Sequence, residues 1–266
     1  SMTTWIGDEA IDFIETRDPL RPFFLWTSFT KPHPPFDPCR DFWELYQQIS
    51  MPEPVYGDWS HSLEDTPQGF LAGSYENTDM HLFGPEQIAA SRRAYYACIT
   101  QVDYQLGRLF GALREHGLFE NTWILFTSDH GEMLGSHGLF QKMCMYEESA
   151  RVPLFMKFPK KFTPSEKLYG QVVSHIDVLP TLCDYLQVDS GNEMDGTSLM
   201  PLLRGESRAE DRNSAYIQYD GNGSRSNFQR CMIWGRWKLI VDLFKDETFY
   251  ELYDLEADVQ ETSNLM

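Results

Sequence analysis

A chain of 266 residues with 42% hydrophobic and 14% aromatic content can build one large domain, or one domain with a small appendage, and is too apolar for wholesale disorder. Its formal net charge of -18 speaks against a nucleic-acid-binding surface or an anionic-membrane surface, because phosphates need a basic footprint. An anionic substrate would need a local positive site within that field, and a divalent metal is one way to supply it.

Residues Ile6 to Thr16 carry apolar side chains at 6, 10, 11, 13 and 14, which predicts a short helix. Pro22 then opens Phe23 to Phe29, a nearly continuous apolar run that suits a strand buried on both faces, as in a parallel sheet. Residues 30 to 84 are rich in Pro, Gly, Asp and aromatics and read as a long excursion, the kind of loop that serves as a rim or lid. From Pro85 the residues Ile88, Tyr95, Ile99, Val102, Leu106, Phe110 and Leu113 recur at helical spacing up to His116-Gly117. Strands are expected at Trp123 to Thr127 and Val152 to Phe158, and a helix over Val172 to Leu186 that Pro180 kinks or interrupts. Beyond residue 212 short strand-like runs alternate with Gly and Asn, and Trp234-Gly235-Arg236-Trp237 reads as a tight hairpin. The alternation predicts an α/β domain with a mainly parallel sheet and a small antiparallel sheet appended to it.

The five cysteines, at 39, 98, 144, 183 and 231, are scattered and form no CxxC pair, so buried or free thiols are expected rather than a zinc cluster or disulfide framework. No run reaches membrane-span length, and localisation is left open, since a leader would lie upstream.

The stretch that bears on function is Thr127-Ser128-Asp129-His130-Gly131-Glu132-Met133-Leu134-Gly135-Ser136-His137-Gly138, followed by Lys142. Loops at the carboxyl ends of strands are where open α/β sheets bind ligands, and Asp129 and His130 fall there. Carboxylate oxygen and imidazole nitrogen both ligate divalent cations, and Lys142 offers a positive charge to an anion beside them. On these three residues alone, a helix-capping Asp followed by a surface His accounts for the pattern as well.

The wider pattern resembles the C-terminal half of the type I sulfatases, in the alkaline phosphatase-like superfamily. It rests on Ser128 to Lys142, on Tyr146-Glu147-Glu148-Ser149-Ala150-Arg151-Val152-Pro153-Leu154, and on Lys31-Pro32-His33-Pro34-Pro35-Phe36 upstream. Downstream it rests on His175 to Leu182, Met194 to Leu199, Glu251 to Leu255 and Glu261 to Leu265. The resemblance implies an alkaline phosphatase-like mainly parallel sheet flanked by helices. Residues 1–211 would be the C-terminal part of the catalytic domain and 212–266 a small antiparallel-sheet subdomain. It further implies that Asp129 and His130 ligate a divalent metal, usually calcium. Lys142 would neutralise the leaving oxygen, and His33 would contact the scissile ester and protonate the leaving alcohol. The alternatives are a His packed in a Pro-rich loop and a solvated surface lysine. Lys31 and His137 would bind substrate or order their loops. The substrate would be a small-molecule or carbohydrate sulfate ester, its alcohol read by the loop at 37–84.

Two departures stand against that pattern. No cysteine has Pro two residues later and Arg four later, as the formylglycine precursor requires, and no Asp-Asp pair occurs. The expectation is therefore a fragment that lacks the N-terminal half with its nucleophile and is inactive alone, with an exposed sheet edge that would favour homo-oligomers. A phosphonate monoester or phosphodiester hydrolase, or a non-catalytic interaction module, remains the alternative.

Overall fold

The computed structural model describes residues 1–60, 83–206, 213–221, 228–243 and 248–266. Residues 61–82 of the expected excursion, and the expected junction at 211 and 212, lie outside the described residues. The chain divides into two compact units.

The first unit comprises residues 1–54, the described part of 80–127, and 154–161. Helix α1 (Met2–Thr16) starts on Ser1, whose hydroxyl accepts the Thr4 N–H at 3.2 Å. After it come α2 (Arg40–Tyr46) and the long α3 (Pro85–Glu115). Pro85 sits in the first turn of α3, where its missing N–H costs nothing, and Gln87 Oε1 accepts the Gly84 N–H at 2.8 Å. Gly117, at φ 68, ends the helix by turning the Leu118 N–H back onto the Leu113 carbonyl at 2.8 Å. Ala10 and Ile14 of α1 meet Leu109 and Leu113 of α3 in a core that Phe23, Leu25 and Ile124 complete. Each fully buried Ile or Leu there is worth about 1.5–3 kcal/mol.

Strands β1 (Ile124–Thr127) and β2 (Leu154–Lys157) fall where they were expected, but they pair antiparallel, with Phe126 opposite Phe155 and their rings stacked at 4.5 Å. Residues 23–29 alternate between half-buried and exposed side chains, the period of a strand, yet join no ladder among the described residues. The difference has a physical source. An apolar run reports burial and not direction, and a parallel neighbour needs a crossover, usually a helix. The connection 128–153 contains only short helical turns.

The second unit comprises the described part of 55–79, residues 128–153, and 162–266. It holds α4 (Glu147–Ala150), α5 (Val178–Leu186) and α6 (Met200–Leu203). Pro180 falls in the first turn of α5, after a 3-10 turn at His175–Asp177, and so begins this helix rather than breaking it. The appended sheet is an antiparallel meander of β3 (Ser214–Tyr219), β4 (Phe228–Trp234), β5 (Trp237–Leu243) and β6 (Thr248–Asp254). Trp234 pairs with Trp237 across Gly235-Arg236, and Gly235 has φ 58, as the first position of a type II′ hairpin requires. All five cysteines are free, with Cys98, Cys144 and Cys231 buried.

The inner face of this sheet is polar to an unusual degree. Cys231, Ile240 and Tyr253 pack with Met133, Leu139 and Tyr146, while Gln229, Asp242 and Glu251 are buried among them. The Tyr146 and Tyr253 hydroxyls donate to Glu251 Oε2 at 2.7 and 2.5 Å, and Gln229 donates to Asp242. Burial, reinforced by Asp242, raises the Glu251 pKa, and burial raises that of Asp242. The folded pair therefore keeps a proton that the unfolded chain releases. This contribution to stability is complete below the ordinary carboxylate pKa and is lost as pH rises through the elevated folded value. The urea midpoint should fall as pH climbs past the ordinary carboxylate range, and Glu251→Gln should flatten that slope. An undiminished slope in the variant would locate the proton elsewhere.

Candidate functional site

The loop that leaves β1 carries Asp129 and His130. Asp129 Oδ1 accepts the His130 N–H at 3.0 Å, and the Ser128 hydroxyl donates to the His130 carbonyl at 2.7 Å. His130 Nδ1 lies 2.8 Å from the Gly131 carbonyl. A carbonyl only accepts, so Nδ1 carries the hydrogen in that bond and the other nitrogen, Nε2, is left to face outward. Nε2 is 3.5 Å from Asp129 Oδ2, and both side chains reach solvent, at 34% and 85% exposure.

The loop then turns back against α4. The Gly131 N–H donates to the Ser149 carbonyl at 2.8 Å and the Glu132 N–H to the Glu148 carbonyl at 2.9 Å. A Cβ on Gly131 would stand 1.9 Å from the Glu148 oxygen, so only glycine permits this approach. Glu132 is buried, and its carboxylate accepts the N–H groups of Leu134 and Gln141. Burial raises its pKa, against the pull of those two donors. Lys142, next to Gln141, is held by its backbone, its carbonyl accepting from the Ser149 hydroxyl at 2.6 Å. The structure thus brings Asp129 and His130 into contact and ties the backbone of Lys142 to the same frame.

His137 is placed differently. It is fully buried in a left-handed conformation with φ 54, and its N–H donates to the Val55 carbonyl at 2.6 Å. Its ring packs against both Trp59 and Tyr146, with centroids at 5.1 and 4.9 Å. Burial pulls its pKa down to about 4, so the ring is neutral at physiological pH. Of the two roles open to it, this position supports ordering the loop.

In the first unit, Lys31 and His33 sit on the turn after residues 23–29. The Lys31 ammonium bonds the Asp37 carboxylate and the Pro35 carbonyl, and the bond from Lys31 holds Asp37 below its ordinary pKa. Lys31 thereby closes its own loop. His33 is exposed, with Nδ1 2.8 Å from the Pro34 carbonyl.

The profile of the Sulfatase family matches residues 2–188, and that of the N-sulphoglucosamine sulphohydrolase C-terminal family matches residues 135–266. The chain belongs to the sulfatase family. It is 34% identical over 270 residues to an arylsulfatase of Clostridium perfringens, covering 99% of this chain and 53% of the relative. To a choline-sulfatase of Rhizobium meliloti it is 35% identical over 250 residues, covering 92% and 46%. The chain thus spans about half the length of the curated relatives it matches. Among solved structures, the phosphonate monoester hydrolase of Agrobacterium radiobacter superposes with a TM-score of 0.86 at 27% identity, covering all of this chain and 56% of that one. A protein solved with its substrate D-glucosamine-2-N,6-O-disulfate superposes at 0.78 with 26% identity, covering 99% and 65%. The sulfatase fold of the alkaline phosphatase-like class, expected from the sequence, is therefore the fold of this chain.

Sulfatases generally work with a divalent metal, and the donor chemistry of this chain fits part of such a site. Asp129 Oδ2 and His130 Nε2 are an oxygen and a nitrogen donor side by side, open to solvent on a fixed backbone. No group of three or more His, Cys, Asp or Glu side chains converges among the described residues. A hard cation such as calcium takes six to eight ligands, so these two donors alone would supply only part of its shell.

Sequence reasoning missed Glu132, whose carboxylate organises the turn before Lys142, and it missed Glu147, Lys238 and Glu261, which meet in an ion cluster. The buried His137 ring fills its site by packing on Trp59 and Tyr146. His137→Ala should therefore lower the unfolding free energy by about 2–4 kcal/mol in denaturant titrations, and His137→Phe by much less. Because the folded pKa lies below the ordinary 6.5, both variants should also resist the loss of stability that wild type shows as pH falls from 6.5 toward 4. An alanine variant as stable as wild type would remove the packing role.

Proposed function

We propose that this chain carries the second acidic–imidazole metal wall and the leaving-group side of a sulfuric ester hydrolase active site. The observation that supports this reading is the contact between Asp129 and His130, on a loop whose turn only Gly131 allows. Asp129 and His130 would hold a divalent cation, most fittingly calcium given the carboxylate donor, and the cation when bound would withdraw charge from the ester oxygens. Lys142 would set its ammonium against the oxygen that becomes negative as the S–O bond breaks. His33, with its Nδ1 at the Pro34 carbonyl, would give a proton to the departing alcohol from Nε2 in its doubly protonated form, returning to the neutral ring. Lys31 and His137 would bind no substrate atom directly and would instead hold the loops on which these groups stand. Residues 212–266 would form the small antiparallel-sheet subdomain, whose inner face packs on Met133, Leu139 and Tyr146 of the loop region.

The substrates this reading favours are small-molecule or carbohydrate sulfate esters, in keeping with relatives named arylsulfatase and choline-sulfatase and a neighbour solved with a sulfated glucosamine. A second reading, phosphonate monoester hydrolysis, is favoured by the similarity to the Agrobacterium enzyme. The formylglycine nucleophile of the family has no precursor motif within these 266 residues, so turnover is to be sought in the full-length protein that carries them.

The test is a leaving-group series of aryl sulfates and aryl phosphonates with that protein. Lys142→Ala should lower kcat by about 100-fold or more across the series. His33→Ala should cost little with acidic phenols and progressively more as the leaving-group pKa rises. A constant loss at His33 would refute proton donation there, and preferential turnover of phosphonates would decide for the second reading.

A further inference from the structure

Lys238 is fully buried, and nothing in the proposed chemistry uses it. It lies on the inner face of β5, opposite Ile233 on one side and Tyr253 on the other. Its ammonium stands 2.9 Å from Glu147 Oε1 and 2.7 Å from Glu261 Oε1. The second oxygen of Glu261 accepts the Glu147 N–H at 2.7 Å, so both the side chain and the backbone of the first residue of α4 are held. Two effects oppose each other here. The carboxylates raise the Lys238 pKa despite burial, while burial raises Glu261 to about 7. The contact distances decide for the ion pair, since an uncharged lysine so deeply enclosed would leave two carboxylates without a counterion.

Such a cluster is weak as a source of stability, because desolvating three ions costs about as much as their attraction returns. Its distinguishing property is direction. Glu147 is followed by Glu148 and Ser149, whose carbonyls receive the Glu132 and Gly131 amides, and the Ser149 hydroxyl binds the Lys142 carbonyl. An unbroken run of contacts therefore leads from Lys238 through Glu147 and α4 to the residues that flank Asp129, His130 and Lys142.

We infer that Lys238, acting through Glu147 and α4, is the positioning residue for the Asp129–Lys142 loop. The inference rests on reading that loop as the reactive one, and two separate measurements keep the two apart. The first is amide exchange at Gly131 and Glu132 compared with amides of β4 and β5. The variants are Lys238→Met and, because a lone substitution strands two carboxylates and risks misfolding, the neutral triple variant Lys238→Met, Glu147→Gln, Glu261→Gln. In the folded triple variant Gly131 and Glu132 should exchange about tenfold faster or more while the sheet amides keep their protection. Lys238→Arg should restore slow exchange. Unchanged loop exchange, or equal loosening of loop and sheet, would overturn the inference. The second measurement is turnover of aryl sulfates by the full-length protein. There the triple variant should lower kcat by about tenfold or more with KM within about twofold, the split expected when groups that act in the transition state lose their placement. A loosened loop with full turnover would instead overturn the catalytic role of the loop, and with it the functional part of the inference.

Discussion

Two backbone hydrogen bonds, from Gly131 to Ser149 and from Glu132 to Glu148, decide where the loop after β1 runs. They require the loop to approach α4 until a Cβ at 131 would overlap a carbonyl oxygen, which is why glycine follows His130. Once those bonds form, Asp129 and His130 have little freedom. The carboxylate of Asp129 receives the His130 amide, and the His130 ring bonds the Gly131 carbonyl, so each side chain is oriented by the backbone of the residue that follows it. Were the pair to take a ligand, this prior fixing would lower the ordering cost of binding.

The partner in that clamp is a helix of only four residues, far too short to be stable on its own propensity. Its stability has to come from what holds its ends. Glu147 is anchored by Lys238 and Glu261, and Tyr146, just before it, is anchored by Glu251, by stacking on Trp59 and by a tilted contact with the His137 ring. The polar inner face of the four-stranded sheet is thereby explained. An apolar face would have packed as densely, but it would not have held α4 at one rotation, and the carbonyls at 148 and 149 need one rotation to meet the loop. Directional bonds to buried groups specify a geometry that dispersion alone leaves loose.

The elements that could be read in the sequence are those whose signal is local. The period and the Pro and Gly ends of α3, the II′ hairpin at Gly235 and the strand runs at β1 and β2 all depend on neighbours within a few residues. Strand direction at β1 and β2 was not legible, because Phe126 and Phe155 would be equally apolar in either arrangement. The proximity of Asp129 and His130 was legible, since adjacent residues on one turn are bound to be near each other. Lys238 was half legible. The alternation Trp237-Lys238-Leu239-Ile240-Val241-Asp242 sets Lys238 and Asp242 on one face with Ile240, and the structure shows that face turned inward. The partners of Lys238, Glu147 in α4 and Glu261 in the C-terminal segment, lie on other elements, and no local pattern announces them. The burial of His137 was not legible: a histidine beside a glycine looks exposed, and its packing against Trp59 and Tyr146 depends on residues far along the chain.

The charge balance gains a different meaning once the pairs are placed. A net charge of -18 suggests a field hostile to anionic esters, yet exposed charges are screened within a Debye length of about 8 Å at physiological salt. What an ester meets is then set by the few groups within that radius, and buried ions count less there than their number suggests. Glu147, Glu261 and Lys238 satisfy one another internally, and Glu251 and Asp242 share a raised affinity for protons, so much of the negative charge nearest the loop is cancelled or protonated. The buried network around α4 thus carries less negative charge than its count of carboxylates suggests.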